Sequence, residues 1–112
     1  MINGVHVVVY SRDAEADRKF FRDVLEFPSL DAGHGSLIFG LPKAESAFQP
    51  AEANDRHEIY LMCDNLNAEI AALHAKGVEC SKVVEERWGS ITKIRLPGGG
   101  EIGLYEPTHP RP

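Results

Sequence analysis

The feature that most constrains this chain is an internal repeat. His57 lies 51 residues after His6, and Asp64 lies 51 residues after Asp13. Each histidine sits in a strand-like run, and each aspartate stands just ahead of a helical pattern. The order of elements repeats as well, so the fold must be one in which a single supersecondary unit occurs twice.

In the first half, Val5 to Tyr10 is a β-branched run with a histidine inside it, the composition of a buried strand. Asp13 is placed to cap the next segment, where Glu15 and Asp17 suit the positive end of a helix dipole. Ala16, Phe20 and Val24, with Phe21 and Leu25 beside them, give an amphipathic helix ending near Pro28. Strand-like pieces follow at Ser29–Ala32, Ser36–Leu41 and Ser46–Gln49, separated by Gly33-His34-Gly35 and Pro42-Lys43 turns. The second half restarts the pattern. His57–Cys63 reads as a strand, Asn65 as an N-cap, Leu66, Ile70 and Leu73 as one helical face, and Gly77 as the left-handed residue after it. Val78–Val84, Ser90–Leu96 and Glu101–Tyr105 read as three more strands, the last two joined by Pro97-Gly98-Gly99-Gly100. The expectation is one α+β domain over residues 1–112. A first βαβββ module covers 1–50, a linker 51–56, a second βαβββ module 57–107 and a tail 108–112.

Composition narrows the function. The 112 residues carry 12 Lys+Arg against 17 Asp+Glu, a formal net charge of −5, and 43% are hydrophobic. A chain of this length buries enough surface for a core without disulfides. Its acidity and scattered basic residues argue against nucleic acid, which needs a basic face. The longest apolar run, Val7 to Tyr10, is far too short to span a membrane. No charged stretch leads into an apolar one after Met1, and Cys63 and Cys80 are isolated thiols, so a cytoplasmic protein is expected.

Three stretches, HVVVYSRDAEADRKFFRDVLEFP, HEIYLMCDNLNAEIAALHAKGVE and LPGGGEIGLYEP, resemble in order and spacing the vicinal oxygen chelate superfamily. That superfamily includes glyoxalase I, extradiol dioxygenases and the bleomycin- and fosfomycin-resistance proteins. The resemblance implies two βαβββ modules curled into an open, cup-shaped mixed sheet with helices packed outside. It also implies a divalent metal (Fe, Mn, Zn or Ni) chelating adjacent oxygens of a small-molecule substrate, and a homodimer, which would also cover the edges of an open sheet. His6 and His57 match the two histidine ligands of the extradiol subset, and imidazole suits such borderline cations. The family's closing-strand glutamate falls on Gly103 here. Glu101 is the nearest carboxylate on the same face, but it lies two residues away, roughly 6–7 Å along a strand. Glu106 points to the other face, and Ile38, Phe39 and Gly40 supply no ligand from the first module. Tyr105 shares the face of Glu101 and Gly103 and is the candidate to orient a substrate.

These residues have plainer readings too. His6 and His57 can be core histidines with satisfied ring nitrogens, and Glu101 an exposed residue at the start of a strand. His34, His74 and His109 read as surface, and Cys63 and Cys80 as small buried hydrophobes. Trp88 beside Arg87 is a ligand wall, a dimer contact or packing. Gly103 marks either space for a bulky ligand or a site without its metal. The first functional expectation is a metalloenzyme of the dioxygenase or glyoxalase type holding its ion through His6, His57 and Glu101. The alternative is a ligand-sequestering protein with no metal, resembling the bleomycin-resistance proteins. A third is a dimeric scaffold with no ligand.

Overall fold

The computed structural model describes Asn3 and residues 6–112. Among them are two helices and six strands. Helix α1 spans Ala14–Asp23, β1 Ser29–Asp31, β2 Leu37–Phe39, β3 Tyr60–Met62, α2 Leu66–Ala75, β4 Val84–Glu86, β5 Gly89–Arg95 and β6 Glu101–Pro107. No helix among the described residues is long and apolar enough to cross a membrane.

Both helices start where side-chain chemistry lets them. The Asp13 carboxylate accepts from the Ala16 amide at 3.1 Å, and the Asn65 side chain accepts from Ala68 at 3.0 Å. Each bond satisfies an amide that has no partner inside its own helix. Helix α2 ends with Gly77 at φ +78°; its amide donates to His74, and the Val78 amide reaches back to the Leu73 carbonyl. That pair of bonds closes a Schellman motif, for which glycine supplies the left-handed step.

The second half builds a four-stranded sheet in the order β3-β6-β5-β4. Strands β3 and β6 run parallel, and β5 pairs antiparallel with both β6 and β4. Parallel pairing of β3 with β6 needs a long crossover, and α2 lies within it. The β5–β6 ladder runs from Gly89 opposite Pro107 to Arg95 opposite Glu101. Alternation then divides β6 between two faces. Ile102 and Leu104 join Ile94, Leu96, Val78, Leu66 and Leu73 in the core, with Phe20 of α1 the one buried contribution from the first half. Glu106, on that same side, accepts from the Leu66 amide at 2.8 Å and so fixes the start of α2. The opposite face carries Glu101, Gly103 and Tyr105.

The first half is thinner. Strands β1 and β2 form only a hairpin, turned by Gly33, His34 and Gly35, all with positive φ. The Pro97–Gly100 turn holds α1 to the sheet: the Gly98 amide donates to Asp17 at 2.8 Å, and a Cβ on Gly98 would collide with the Ser11 and Asp17 side chains.

The α+β class and an open mixed sheet therefore stand, while the twofold βαβββ layout is not confirmed. The second half shows β3-α2-β4-β5-β6 in sequence order; the first half shows only α1, β1 and β2. The expected opening strand begins outside the described residues at Val5, and His6–Tyr10 is neither a strand nor buried. Ser46–Gln49 forms no strand either, and of Val78–Val84 only Cys80, in an isolated bridge to Ile94, and Val84 are paired. Strands exist through their ladders. The apolar run at Val7–Tyr10 has the right composition but pairs with no described strand of its own chain.

Candidate functional site

The sheet face opposite the core is aromatic. Tyr60, Trp88 and Tyr105 meet edge to face, with ring centroids 6.5, 5.8 and 5.5 Å apart. Such T-shaped contacts set the positive edge of one ring against the negative face of another. Tyr60 lies beside Gly103 in the β3–β6 ladder, and its ring leans over that glycine, so that a Cβ at 103 would fall inside it. The two sequence readings of Gly103 thus gain a physical answer: the space a side chain would need is filled by the protein's own tyrosine. A glutamate here would have to expel that ring.

Lys93 flanks Gly103 from the other side, in β5. Its ammonium sits 4.4 Å from the Tyr60 ring centroid and donates to the Tyr60 hydroxyl at 3.3 Å. Tyr60 in turn donates to Glu58 at 3.1 Å, and Arg56 donates to the other Glu58 oxygen at 2.8 Å. Arg56 first, and the Tyr60 hydroxyl second, hold the Glu58 carboxyl below the usual carboxylate range. The result is a run of four hydrogen-bonded groups along one rim of the face.

Tyr105 is buried at the centre of the aromatic cluster, where its hydroxyl meets His109 Nε2 at 3.0 Å. His109 Nδ1 lies 2.9 Å from the Pro110 carbonyl, which can only accept, so Nδ1 carries a hydrogen. Glu45 stands 3.6 Å from the same Nε2. Burial first, then the nearby Glu45 charge, push the Tyr105 phenol above its ordinary value, against a smaller opposing effect of Arg111. His109, expected at the surface, instead ties the tail to the sheet face. Tyr105 is thus a packed, hydrogen-bonded residue in the wall of the face.

Beside this face is an open cleft of about 400 Å³, lined in part by His57, Glu58, Lys93, Glu101 and Gly103 and, from the first half, by Val8, Val9, Tyr10 and Phe21. Of the expected metal ligands it brings together His57 and Glu101. His6 is exposed and is not among the residues lining it. No group of three or more His, Cys, Asp or Glu side chains that could hold a metal occurs among the described residues. Among the described residues the cleft thus gathers two of the three expected donors, one fewer than the three protein ligands typical of a catalytic ion. Cys63 and Cys80 add no nucleophile, since burial raises both thiols and further suppresses the thiolate.

Sequence reasoning missed Tyr60 and Lys93. A signal was present: Lys93 is a charged residue inside the otherwise strand-forming run Ser90–Leu96, and a cation there needs a reason.

Comparison with solved structures gives this architecture its relatives. TnmS3, an antibiotic binding protein from Streptomyces sp. CB03234, superposes with a TM-score of 0.69 at 24% identity, covering 96% of this chain and 98% of that one. Lactoylglutathione lyase from Agrobacterium tumefaciens superposes at 0.67 with 17% identity, covering 95% of each chain. A glyoxalase/bleomycin resistance protein, also from Streptomyces sp. CB03234, gives 0.53 at 20% identity over 87% of this chain and 94% of that one. No family model and no curated protein sequence matches. The chain shares its fold with these proteins. The likeness is one of fold, which hosts both lyases and binding proteins.

Proposed function

We propose that this protein binds a small aromatic molecule without a metal, on the Tyr60–Trp88 face and its adjoining cleft, and sequesters it as a homodimer. The observation that carries this reading is the Tyr60 ring seated over Gly103. Where the superfamily resemblance led us to expect a ligating carboxylate, the chain presents an aromatic surface with a lysine at its edge. Trp88, 39% exposed, extends that surface toward solvent. A fold shared with an antibiotic binding protein agrees with the reading.

The dimer is supported by surface area. The chain exposes 8943 Å², whereas a compact monomer of this size exposes roughly 6,100 Å². A surplus of about 2,800 Å² per chain, or about 5,600 Å² over two chains, reaches the upper end of what obligate pairing covers. Much of it is apolar, with Tyr10 94% and Phe48 95% exposed.

A second reading is the metalloenzyme, favoured by His57 and Glu101 lining one cleft. It requires a partner copy to bring its own His6 to that cleft, completing two imidazoles and one carboxylate. Isothermal titration with a planar aromatic ligand, alongside elemental analysis of the purified protein, separates the two. Saturable binding by metal-free protein is the expected result. Stoichiometric metal that disappears in both His6→Ala and His57→Ala would instead establish the second reading. Sedimentation showing only monomer at micromolar concentration would contradict the dimer.

A further inference from the structure

We infer that Lys93 anchors an acidic group of the bound molecule, so that the site selects aromatic carboxylates over neutral aromatics. This rests on the binding reading above and names the ligand class it takes. Lys93 is half-buried and lines the cleft. Among the described residues no carboxylate lies within ion-pair distance of it. Its one hydrogen bond goes to the neutral Tyr60 hydroxyl, and its remaining close partner is the Tyr60 ring. An ammonium carries three donors, so two hydrogens have no acceptor among the described residues.

The nearest candidate counter-charge is already engaged. Glu58 accepts from Arg56 and from the Tyr60 hydroxyl, which orients the tyrosine oxygen to receive from Lys93 rather than to compete with it. A half-buried cation whose one hydrogen-bond partner is neutral, and which meets the Glu58 charge only through Tyr60, is weakly compensated. A carboxylate delivered by the ligand would supply both the charge and the missing acceptor, as a charge-assisted hydrogen bond. The rest of the cleft then sets the ligand's direction. Glu101 repels an anion from its own end, while His57 offers a ring N–H, and Phe21 and Tyr10 offer apolar area for the aromatic body.

The protein as a whole works against such a preference, which sharpens the test. With a formal net charge of −5, the overall field disfavours anions, so selection for a carboxylate must come from a local cation. Naphthalene-2-carboxylate and naphthalene-2-carboxamide share a skeleton and differ in charge. Isothermal titration of both into the wild type is expected to favour the carboxylate by about tenfold or more, the worth of one charge-assisted bond. Lys93→Met should abolish the ratio and Lys93→Arg should keep most of it; Lys93→Gln replaces the methionine variant should that fail to fold. A merely structural lysine would lower the melting temperature of Lys93→Met without moving the ratio. Equal affinity of the wild type for the two compounds, or a ratio that survives in Lys93→Met, overturns the inference and leaves the binding reading standing. If neither compound binds, both fall.

Discussion

The two halves of the chain repeat a sequence pattern yet differ in what they can do alone. Residues of the second half fill a core of aliphatic side chains beneath a four-stranded sheet, while the first half adds one buried residue, Phe20. Val7, Val8, Val9, Leu30, Ile38, Leu41 and Phe48 of the first half are large apolar residues left in contact with water. The radius of gyration, 14.9 Å, also exceeds the roughly 13 Å expected of a compact chain this long. A repeat read in the sequence, then, need not appear equally in the two halves of the structure. One half carries most of the buried core of the single chain, and the other leaves its large apolar residues exposed.

The strongest test of this contrast is truncation on each side. Ile94→Ala, at a site with no solvent exposure, should cost about 2–5 kcal/mol in chemical denaturation. Val8→Ala should stay within about 0.5 kcal/mol at concentrations where the chain is monomeric. A large loss for Val8→Ala in dilute monomer would mean that the first half is not peripheral to stability. Next in size is Gly103→Ala. The new methyl collides with the Tyr60 ring, and overpacking of this kind costs about 1–3 kcal/mol; changed near-ultraviolet circular dichroism should report the displaced tyrosine.

The helix caps allow a finer comparison. Asn65→Ala and Asp13→Ala each remove one capping acceptor, worth about 1 kcal/mol. Loss of the Asn65 cap should lower the global melting temperature. Loss of the Asp13 cap should mainly speed amide exchange within α1, because Phe20 is the one buried residue of that helix, whereas α2 buries Leu66 and Leu73. Equal exchange protection of α1 and α2 would erase the distinction.

The smallest effect concerns pH. Burial raises the Tyr105 phenol above its ordinary 10.0, so the folded state holds this proton after the unfolded chain has released its own. The stability it contributes is intact below about pH 10 and is lost as pH rises through the folded-state value. In Tyr105→Phe the late-titrating phenol should vanish from the ultraviolet absorbance titration, and the alkaline fall in stability should be shallower.

Local chemistry made much of the second half legible in the sequence. The Asn65 cap, the Gly77 terminus and the Pro97–Gly100 turn are each specified by a few adjacent residues, and the structure has all three. Alternation along Glu101–Tyr105 also assigned faces correctly, as the Glu106 bond to α2 shows. The opening strand was not legible in the same way. Val7–Tyr10 has strand composition, but composition does not supply the neighbour that makes a strand. The site was legible only in part, for a similar reason. His57 and Glu101, expected from the superfamily resemblance, do line one cleft, whereas the Tyr60 ring above Gly103 depends on the parallel register of β3 against β6, which joins residues 43 positions apart.

Strand β6 has one consequence for how such a protein can change over time. Its odd-numbered positions lie on the aromatic face, while Ile102, Leu104 and Glu106 fasten the scaffold. Of the odd positions, Gly103 is fixed by the Tyr60 ring and Tyr105 by its burial, so exposed Glu101 is the one most open to replacement. A single inserted or deleted residue within β6, by contrast, would exchange the two roles at once. Drift in this strand should accordingly be seen as point replacements on one side, with length held constant.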